Sequence, residues 1–508
     1  MSTHYDVVII GSGAGGGTIA HALSDTGKRI LIVERGGFVE QEPENWSPEA
    51  VWKARRYRPR NEFWVDATRP QRRLFRPYTH YGVGGNTKFW GSALYRLRRE
   101  DFQAVEHEDG ISPAWPIDYE ELAPYYDRAE RLYHVHGATG DDPTEPPRNP
   151  YPFPAIQHAP RVAEVVESLR ALGLHPSPLP LGLIRPDEPG GCVLCRTCNS
   201  FPCFIHAKSE ADVCCVRPAL ARPTVTLWTH SLVRRLLTDE SGSSVTAAEI
   251  DRNGETVRVE APLFIVACGA VNSAALMLRS TGRSHPQGLA NSSGLVGRRY
   301  MAHLATMISA FDRRRVNDTV FQKTVAINDY YLAGNGSRYP LGQVQSQGRT
   351  QAVVLKAESP WYGRWIPLPA WEWWAAGAMD WLVMSEDLPL PDNRVTVDQH
   401  GRIHLRYRQS NAGSHRQLVE RMQGVLKQIG FFTIKHSLGT RNTTHQCGTL
   451  CFGTDPKSSV LDPWCRAHDV SNLYVVDASF FPSSAAVNPG LTIIAQALRV
   501  ADHIRKTL

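Results

Sequence analysis

The sequence predicts an α/β fold with a doubly wound parallel sheet, and three segments carry this prediction. Each segment is an apolar strand followed by small residues and a helix, at 5–37, 263–280 and 472–504. Strands that alternate with helices favour a parallel sheet, and such a sheet binds ligands at the carboxyl ends of its strands. We therefore expect a ligand site along that edge.

The N-terminal segment has the order that a dinucleotide site requires. A strand from Val7 to Ile10 leads into Gly11-x-Gly13-x-x-Gly16, an amphipathic helix, and a second apolar strand ending in Glu34, 18 residues after the last glycine. The three glycines permit a tight turn, close approach of a pyrophosphate and close packing of helix on strand. An acid at this position can bind both ribose hydroxyls, which argues against a 2′-phosphorylated cofactor. The segment predicts a Rossmann-like dinucleotide-binding domain.

Composition and charge exclude several classes of protein. The chain of 508 residues is 42% hydrophobic and 21% charged, its net charge of +6 is dispersed, and its densest basic stretch, 53–60, is brief. Nucleic acid is therefore not an expected partner. No stretch reaches the roughly 18 apolar residues of a membrane span, and the N-terminus lacks the basic and apolar regions of a signal peptide. We expect a cytoplasmic protein without a membrane span.

Four stretches in a fixed order carry a family resemblance. They are the N-terminal segment, "YGVGGNTKFWGSALYRLRREDF" (81–102), "LFIVACGAVNSAALMLRS" (263–280) and "NLYVVDASFFPSSAAVNPGLTIIAQALRVADHI" (472–504). Together they resemble the glucose-methanol-choline (GMC) family of FAD-dependent oxidoreductases. The final stretch is the most specific, because "VVDASxxP" followed by "NPxxTIxAxAxRxAD" rarely arises by chance.

The resemblance implies that these stretches bind FAD. Asp477 and Ala478 would lie against the ribityl chain and pyrophosphate, and Asn488 and Pro489 would lie at the isoalloxazine edge. The complete predicted FAD set is Gly11, Ser12, Gly13, Ala14, Gly16, Glu34, Arg35, Gly84, Gly85, Asn86, Thr87, Trp90, Gly91, Val233, Ala267, Gly269, Asp477, Ala478, Asn488, Pro489 and Thr492.

The glycine-rich loop bears on how FAD would be attached. Some relatives tether the flavin through a histidine in this loop, whereas this sequence has Lys88 and Phe89 at those positions. Neither side chain can form that bond, so we expect non-covalent FAD.

His445, in the motif "HQCGT", is the predicted catalytic base. In the GMC family a histidine before x-x-Gly-Thr acts as base, with a His or Asn partner in the final loop, here Asn488. Hydride leaves a carbinol carbon readily only as the hydroxyl proton leaves, and imidazole suits that proton transfer. Asn488 would donate a hydrogen bond to the same oxygen. The alternative is a core histidine, and the other histidines, including His80 and His303, are expected to be structural.

Four cysteines, Cys192, Cys195, Cys198 and Cys203, form the pattern C-x2-C-x2-C-x4-C. Such spacing can hold an iron–sulfur cluster or zinc, and some sugar dehydrogenases of the GMC family carry a cluster in a comparable region. The alternative is a loop of small buried thiols over the cofactor. We assign no metal from the sequence and leave both alternatives open.

The resemblance also implies a discontinuous α+β substrate-binding domain on the FAD-binding domain, as in GMC and PHBH-like architectures. Two strands are predicted in "NRVTVDQHGRIHLRY" and an amphipathic helix in "SHRQLVERMQGVLKQIGFF". The predicted bounds are 1–110, 190–303 and 441–508 for the FAD-binding and catalytic segments, and 111–189 and 304–440 for the substrate lobe.

Six of the thirteen tryptophans fall within 361–381. Aromatic rings stack on the C–H faces of sugars, so this segment is consistent with a carbohydrate or glycoside pocket. A packed core between lobes, a subunit interface and a membrane-surface loop are the alternatives.

The predicted function is FAD-dependent oxidation of a sugar or glycoside CH–OH group to a carbonyl, by hydride transfer to flavin N5 with His445 as base. The alternatives are a non-sugar alcohol or polyol as substrate, a flavin-containing lyase on the same fold, and a non-catalytic flavoprotein. The electron acceptor is left open between O2, a quinone and a protein, and homo-oligomerisation is also left open.

Overall fold

The computed structural model describes residues 4–59, 62–186, 188–359, 363 and 365–508, without the side chain of Glu358. Arg60 of the basic stretch and Trp361 of the tryptophan-rich segment therefore lie outside the described residues.

The secondary structure alternates between strands and helices along most of the chain. The helices are α1 (Ala14–Leu23), α2 (Tyr119–Leu132), α3 (Pro160–Ala171), α4 (Arg217–Leu220), α5 (Ala270–Arg279), α6 (Ala352–Glu358), α7 (Leu368–Gly377), α8 (Ala412–Gln428) and α9 (Gly490–Ile504). The strands are β1 (Val7–Ile10), β2 (Ile30–Val33), β3 (Trp64–Asp66), β4 (Arg73–Phe75), β5 (Val105–His107), β6 (Gly110–Ser112), β7 (Val135–Gly137), β8 (Phe153–Pro154), β9 (Pro176–Pro178), β10 (Leu181–Gly182), β11 (Val225–Trp228), β12 (Ser231–Thr238), β13 (Val245–Arg252), β14 (Glu255–Glu260), β15 (Leu263–Val266), β16 (Leu304–Phe311), β17 (Val325–Ile327), β18 (Gln343–Ser346), β19 (Ala378–Ser385), β20 (Arg394–Val397), β21 (Ile403–Arg406), β22 (Phe432–Ser437) and β23 (Leu473–Val475).

A five-stranded parallel sheet in the order β11-β2-β1-β15-β23 forms the centre of the fold. Strands β1, β2, β15 and β23 are buried along their whole length. Strands covered on both faces are continuous apolar runs, which is why they are recognisable in the sequence. Helices α1, α5 and α9 follow β1, β15 and β23, so the predicted α/β fold is confirmed.

Two glycines allow α1 to pack closely beside the sheet. A Cβ at Gly16 would lie 2.0 Å from the carbonyl oxygen of Gly11, and a Cβ at Gly15 would lie 1.9 Å from that of Val476. Either contact is far inside van der Waals distance, so a side chain here would push the helix away. The contact at Gly16 is the one for which the dinucleotide pattern requires a glycine.

A second unit is built on a six-stranded antiparallel sheet in the order β22-β16-β19-β18-β17-β9. Apolar residues of α3 and α8, such as Val162 and Leu418, form one buried cluster with Ile308 and Val383 of this sheet. The predicted amphipathic helix is α8, and the two predicted strands are β20 and β21.

One strand pairing links segments that are distant in sequence. In the sheet ordered β20-β21-β3-β4, β3 runs parallel to β21, with His404 opposite Val65. A segment of the first predicted FAD-binding range therefore pairs with one of the predicted substrate lobe, and the domain bounds stay a prediction. Among the described residues, no helix has the length and apolar character needed to cross a membrane.

Candidate active site

A cavity of about 1230 Å³ lies where the carboxyl ends of β1, β2 and β15 face the antiparallel sheet. Ile10, Val33 and Ala267 line it from the parallel sheet, and Met307 and Leu382 line it from the antiparallel one. Its volume exceeds the roughly 300–1,000 Å³ of common small-molecule pockets. The cavity therefore has room for a dinucleotide and a substrate together.

The structure brings most of the predicted FAD residues to this cavity. Those that line it are Gly11, Ser12, Gly13, Ala14, Glu34, Arg35, Gly85, Asn86, Thr87, Trp90, Gly91, Val233, Ala267, Gly269, Asp477, Ala478, Asn488 and Pro489. Gly16, Gly84 and Thr492 do not line it. Gly84 instead donates its backbone N–H to Ser12 Oγ over 3.1 Å, and the Thr492 hydroxyl lies 2.8 Å from Tyr126 Oη.

Glu34 stabilises the part of the cavity formed by the turn at Gly11–Gly16, which we call the dinucleotide end. Its Oε2 accepts hydrogen bonds from Ser12 Oγ at 2.6 Å and Ser12 N at 3.2 Å, and its Oε1 accepts from Gly36 N at 3.0 Å. Burial raises the pKa of the carboxyl, while the hydrogen bonds from Ser12 and Gly36 act in the opposite direction. Glu34 thus fixes the glycine-rich turn, and its contact with a ribose stays a prediction.

The backbone at this end is open toward the cavity. A Cβ at Gly13 would have its nearest neighbour at 3.9 Å, and one at Gly269 would meet no described atom within 4 Å. Asp477 accepts the N–H of Gly269 at 2.9 Å and that of Ser479 at 2.9 Å, which orders the two turns beside the opening. Unobstructed backbone next to a helix N-terminus suits a pyrophosphate. The residues present therefore fit FAD.

Lys88 and Phe89, at the positions where some relatives tether the flavin, make other contacts here. Lys88 Nζ lies 2.5 Å from Glu210 Oε2 and 2.9 Å from Asp212 Oδ2, and its side chain is buried away from the cavity. Burial alone would lower the pKa of Lys88, but the two carboxylates outweigh it and raise that pKa. Phe89 stacks on His80 with ring centroids 3.7 Å apart, and both rings line the cavity.

His445 lines the cavity and is positioned by a short antiparallel bridge. The backbone of Cys447 exchanges two hydrogen bonds with Met301, at 2.9 and 3.0 Å, which places His303 beside His445. Nδ1 of His303 lies 3.0 Å from Nδ1 of His445, and Nε2 of His303 lies 3.2 Å from the carbonyl oxygen of Ser484. The two imidazoles form a hydrogen-bonded pair.

The contacts of His303 determine which nitrogen of His445 carries the proton. The Ser484 carbonyl can only accept, so His303 must donate from Nε2 and, when neutral, accept at Nδ1. His445 then donates from Nδ1, which leaves its Nε2 as an unprotonated acceptor. Burial, and next the neighbouring His303, hold the pKa of His445 well below 6.5. His445 is therefore neutral at neutral pH and able to accept a proton.

Asn488 lines the same cavity, two residues before α9 begins. Its Oδ1 is buried and finds no hydrogen-bond partner among the described residues. Trp90 Nε1 is likewise buried without a described partner beside the cavity. Unsatisfied polar atoms in a cavity point to a ligand that supplies the missing partners. This arrangement suits a bound cofactor and alcohol.

The tryptophan-rich segment divides between cavity, core and surface. Trp371, Trp373 and Trp374 line the cavity, and Trp374 donates from Nε1 to Ser309 Oγ over 2.9 Å. Trp381 is buried in the core of the antiparallel sheet, whereas Trp365 is 82% exposed. Three of these tryptophans therefore line the cavity, Trp381 belongs to the core of the antiparallel sheet, and a carbohydrate pocket stays a prediction.

The four cysteines of the C-x2-C-x2-C-x4-C loop surround a space of about 10 Å³ together with Trp46 and Phe201. Burial raises the pKa of Cys192 to about 11 and that of Cys198 to about 12, so these thiols are protonated. In the part of the chain that the structure describes, no three His, Cys, Asp or Glu side chains are arranged to hold a metal. The geometry favours packed thiols.

Three residues that sequence reasoning did not select also belong to the site. His303 orients His445, and Lys323 and Asn199 face the cavity as a hydrogen-bonded pair, 2.9 Å apart. The sequence carries no local signal for any of them, because their partners lie more than 100 residues away.

Two family models match the chain. GMC oxidoreductase models for the N-terminal and C-terminal regions match residues 5–305 and 389–497. The chain belongs to the GMC oxidoreductase family. It is thus an oxidoreductase that acts on CH–OH groups, in a family of FAD-binding enzymes, and the predictions of family and enzyme class are confirmed.

Individual relatives match this GMC oxidoreductase along almost its whole length. Paromamine 6'-oxidase of Streptomyces fradiae is 31% identical, with 98% of this chain and 91% of the relative covered. 6'''-Hydroxyparomomycin C oxidase of Streptomyces lividus is also 31% identical, with 99% and 92% covered. The crystal structure of pyridoxine 4-oxidase from Mesorbium loti matches with a TM-score of 0.67 at 21% identity, covering 98% of both chains, which shows a shared fold.

Proposed function

We propose that this GMC oxidoreductase oxidises a CH–OH group of a sugar or glycoside to a carbonyl, with His445 as the base. One observation carries the proposal: the contact with His303 leaves Nε2 of His445 unprotonated. His445 lines a cavity that Asn488 and three tryptophans also line.

The protein's residues divide the reaction between them. His445 Nε2 accepts the hydroxyl proton as the C–H bond breaks, and the Nδ1–H bond to His303 stabilises the imidazolium that forms. Asn488 turns its amide N–H toward the same oxygen and stabilises the developing negative charge. Bound FAD supplies the hydride acceptor. The alcohol thereby loses one proton and one hydride and becomes the carbonyl compound.

The tryptophans support a sugar as the substrate. Trp371 and Trp373 line the cavity, and Trp371 Nε1 has no hydrogen-bond partner among the described residues. An aromatic face with a free N–H donor matches the C–H face and hydroxyls of a pyranose ring. The names of two relatives, oxidases of aminoglycosides, support the same class.

An anaerobic titration tests the proposed function. The FAD-loaded protein is mixed with monosaccharides, glycosides and simple alcohols, and the visible flavin absorbance is followed. Bleaching by a sugar or glycoside at lower concentration than by any simple alcohol supports the proposal. Bleaching by simple alcohols alone contradicts the sugar assignment, and a flavin that no alcohol bleaches contradicts the oxidation.

We further propose that FAD is bound without a covalent link. The support is the engagement of Lys88 in a buried ion pair and the presence of phenylalanine at position 89. Acid precipitation should release all of the flavin into the supernatant. Flavin that stays with the pellet would contradict this, and His80, which lines the cavity against Phe89, is the side chain to test next.

We also propose the predicted domain bounds, because each of the two main sheets takes its strands from one set of segments. The parallel sheet draws its strands from 1–110, 190–303 and 441–508, and the antiparallel sheet draws its strands from 111–189 and 304–440. The pairing of β3 with β21 ties the two units together. Limited proteolysis should therefore cut loops within units before it separates them.

A further inference from the structure

Lys323 is a buried ammonium in the catalytic cavity. Its side chain is 3% exposed, and its Nζ donates to Asn199 Oδ1 over 2.9 Å. None of the described carboxylates forms an ion pair with it. Burial lowers its pKa to about 8, with Cys198 raising and Lys208 lowering that pKa to a smaller extent. A buried, unpaired ammonium group destabilises the ligand-free protein, and a bound anion would compensate its charge.

Two arginines continue the same wall of the cavity. Arg349 is half-buried, Arg196 is exposed, and both line the cavity. Burial, and next the charge of Arg196, lower the pKa of Arg349. Asp380 and Asp318 attract Arg349 from a distance, but neither forms an ion pair with either arginine among the residues that the structure describes.

Asn199 lies between Lys323 and the loops that carry the two arginines. A Cβ at Gly91 would lie 2.0 Å from both Lys323 Nζ and Asn199 Oδ1, and a Cβ at Gly348 would lie 3.2 Å from Asn199 Cβ. The Lys323–Asn199 pair thus rests on the glycine-rich loop, and the loops that carry Arg196 and Arg349 touch beside it. Lys323 is also near enough to His445 to contribute to the lowering of its pKa. We name Lys323, Arg349 and Arg196 the cationic wall.

None of the described carboxylates that line the cavity forms an ion pair with this wall. Glu34 and Asp477 lie at the dinucleotide end, where backbone N–H groups and serine hydroxyls hold them. Asp380 accepts the N–H of Thr350 at 3.0 Å and is hydrogen-bonded to Ser309 as well. Cations that face a cavity without an ion-paired carboxylate among the described residues indicate a site for an anion.

We propose that the cationic wall binds an anionic substituent, a carboxylate or a phosphate ester, on the alcohol that His445 deprotonates. The proposal rests on the proposed oxidation of a sugar or glycoside and narrows its substrate to the acidic members of that class. Lys323 would hold the anion near the reacting carbon, and Arg349 and Arg196 would attract it from the cavity entrance. Arginine and lysine are the side chains that bind carboxylate and phosphate groups.

Equilibrium binding tests the wall independently of turnover. The FAD-loaded protein is titrated anaerobically with D-glucuronate, D-glucose and D-glucosamine, which share a ring and differ in charge, while the flavin spectrum and tryptophan fluorescence are followed. Glucuronate should bind at least about tenfold more tightly than glucose, because a hydrogen bond to a charged partner contributes roughly 1.5–3 kcal/mol. Glucosamine should bind more weakly than glucose. Equal affinities for the three sugars would overturn the proposal.

Substitutions test whether the cationic wall causes the preference for glucuronate over glucose. Lys323→Met and Arg349→Gln should each weaken glucuronate binding by about tenfold or more and change glucose binding by less than about twofold. Lys323→Arg should keep the preference for glucuronate. Lys457→Met removes the same charge from an exposed position outside the cavity and serves as the matched control, with unchanged affinities. Unchanged glucuronate affinity in either Lys323→Met or Arg349→Gln would overturn the proposal, so one folded variant is enough for the test.

Three further outcomes separate the cationic wall from its alternatives. Inorganic phosphate that binds tightly while the protein does not distinguish glucuronate from glucose would indicate a free-anion site and overturn the proposal. Lys323-dependent glucuronate binding in a protein whose flavin no sugar bleaches would support the wall and contradict the proposed oxidation. Bleaching by neutral and acidic sugars at equal concentrations would support the oxidation and overturn the wall.

Discussion

His303 Nδ1 lies 3.0 Å from His445 Nδ1, and the same His303 ring contacts the Ser484 carbonyl through Nε2. A carbonyl that can only accept thus determines, through two imidazole rings, which nitrogen of His445 is free. The proposed base, Nε2 of His445, is therefore set by His303, a residue that need not touch the substrate.

Replacing His303 should weaken the base without removing it. In His303→Leu, Nδ1 of His445 loses its acceptor, so the tautomer protonated on Nε2 becomes populated and the imidazolium loses its stabilising contact. We expect flavin reduction to slow by about tenfold, the loss of one hydrogen bond to a charged group, with the substrate Kd unchanged. His303→Asn keeps an acceptor and should recover part of the rate. Equal rates in both variants would contradict the positioning role.

His445→Ala should remove the base itself. The variant should stay yellow and FAD-loaded, because His445 lies outside the residues predicted to bind FAD, but anaerobic flavin reduction should slow by about 10²–10⁴-fold. Stopped-flow absorbance measures this rate directly, and the flavin content of the purified protein is the control. A variant reduced as fast as the wild type would exclude His445 as the base.

The pH dependence follows from the lowered pKa of His445. The neutral form accepts the proton, so the rate of flavin reduction should stay on a plateau as the pH falls through 6.5. It should decline only in more acidic solution, as pH passes the pKa of the folded protein, which burial holds well below 6.5. The measurement is the reductive rate across the pH range in which the protein keeps its FAD. An inflection at or above pH 6.5 would be inconsistent with this environment.

Glu34→Ala should weaken the retention of FAD. The substitution removes the acceptor of three hydrogen bonds from Ser12 and Gly36 and so loosens the turn at the dinucleotide end. We expect FAD affinity to fall by about tenfold or more. Equilibrium dialysis of the apoprotein with FAD gives the affinity, and Glu255→Ala, at an exposed position outside the cavity lining, is the control. Unchanged affinity would remove Glu34 from the cofactor site.

The parallel sheet is predictable from the sequence because local pattern decides it. Strands β1, β2, β15 and β23 are buried throughout, so each is an apolar run next to small residues. The glycines of the Gly11-x-Gly13-x-x-Gly16 turn and His445 of the HQCGT motif are recognised by the residues next to them in the sequence. Residues whose chemistry depends on local spacing can therefore be recognised in the sequence alone.

Residues whose roles depend on distant partners were not predictable. The sequence predicts a structural role for His303. Its hydrogen bond to His445, 142 residues away in the sequence, forms because the Met301–Cys447 bridge brings the two segments together. Lys323 has an ordinary sequence context, and its isolation from described carboxylates exists only in three dimensions. The pairing of β3 with β21 is hidden for the same reason, since these strands are short and belong to distant segments.

Asn488 should contribute to the rate of hydride removal more than to binding. Its Oδ1 has no described partner, and its amide can place an N–H toward the alcohol oxygen that His445 deprotonates. Loss of one such donor in Asn488→Ala should lower the limiting rate of flavin reduction by about 10²–10³-fold, because the bond strengthens as charge develops. Asn488→Asp should be at least as slow, since a carboxylate repels the developing alkoxide. Asn488→His keeps an N–H donor, and histidine is the alternative partner in this family, so it should retain a rate well above that of the alanine variant.

Stopped-flow traces at several substrate concentrations separate the limiting rate from the apparent Kd. A variant that changes only the apparent Kd would show that Asn488 binds the ground state and does not assist the transfer.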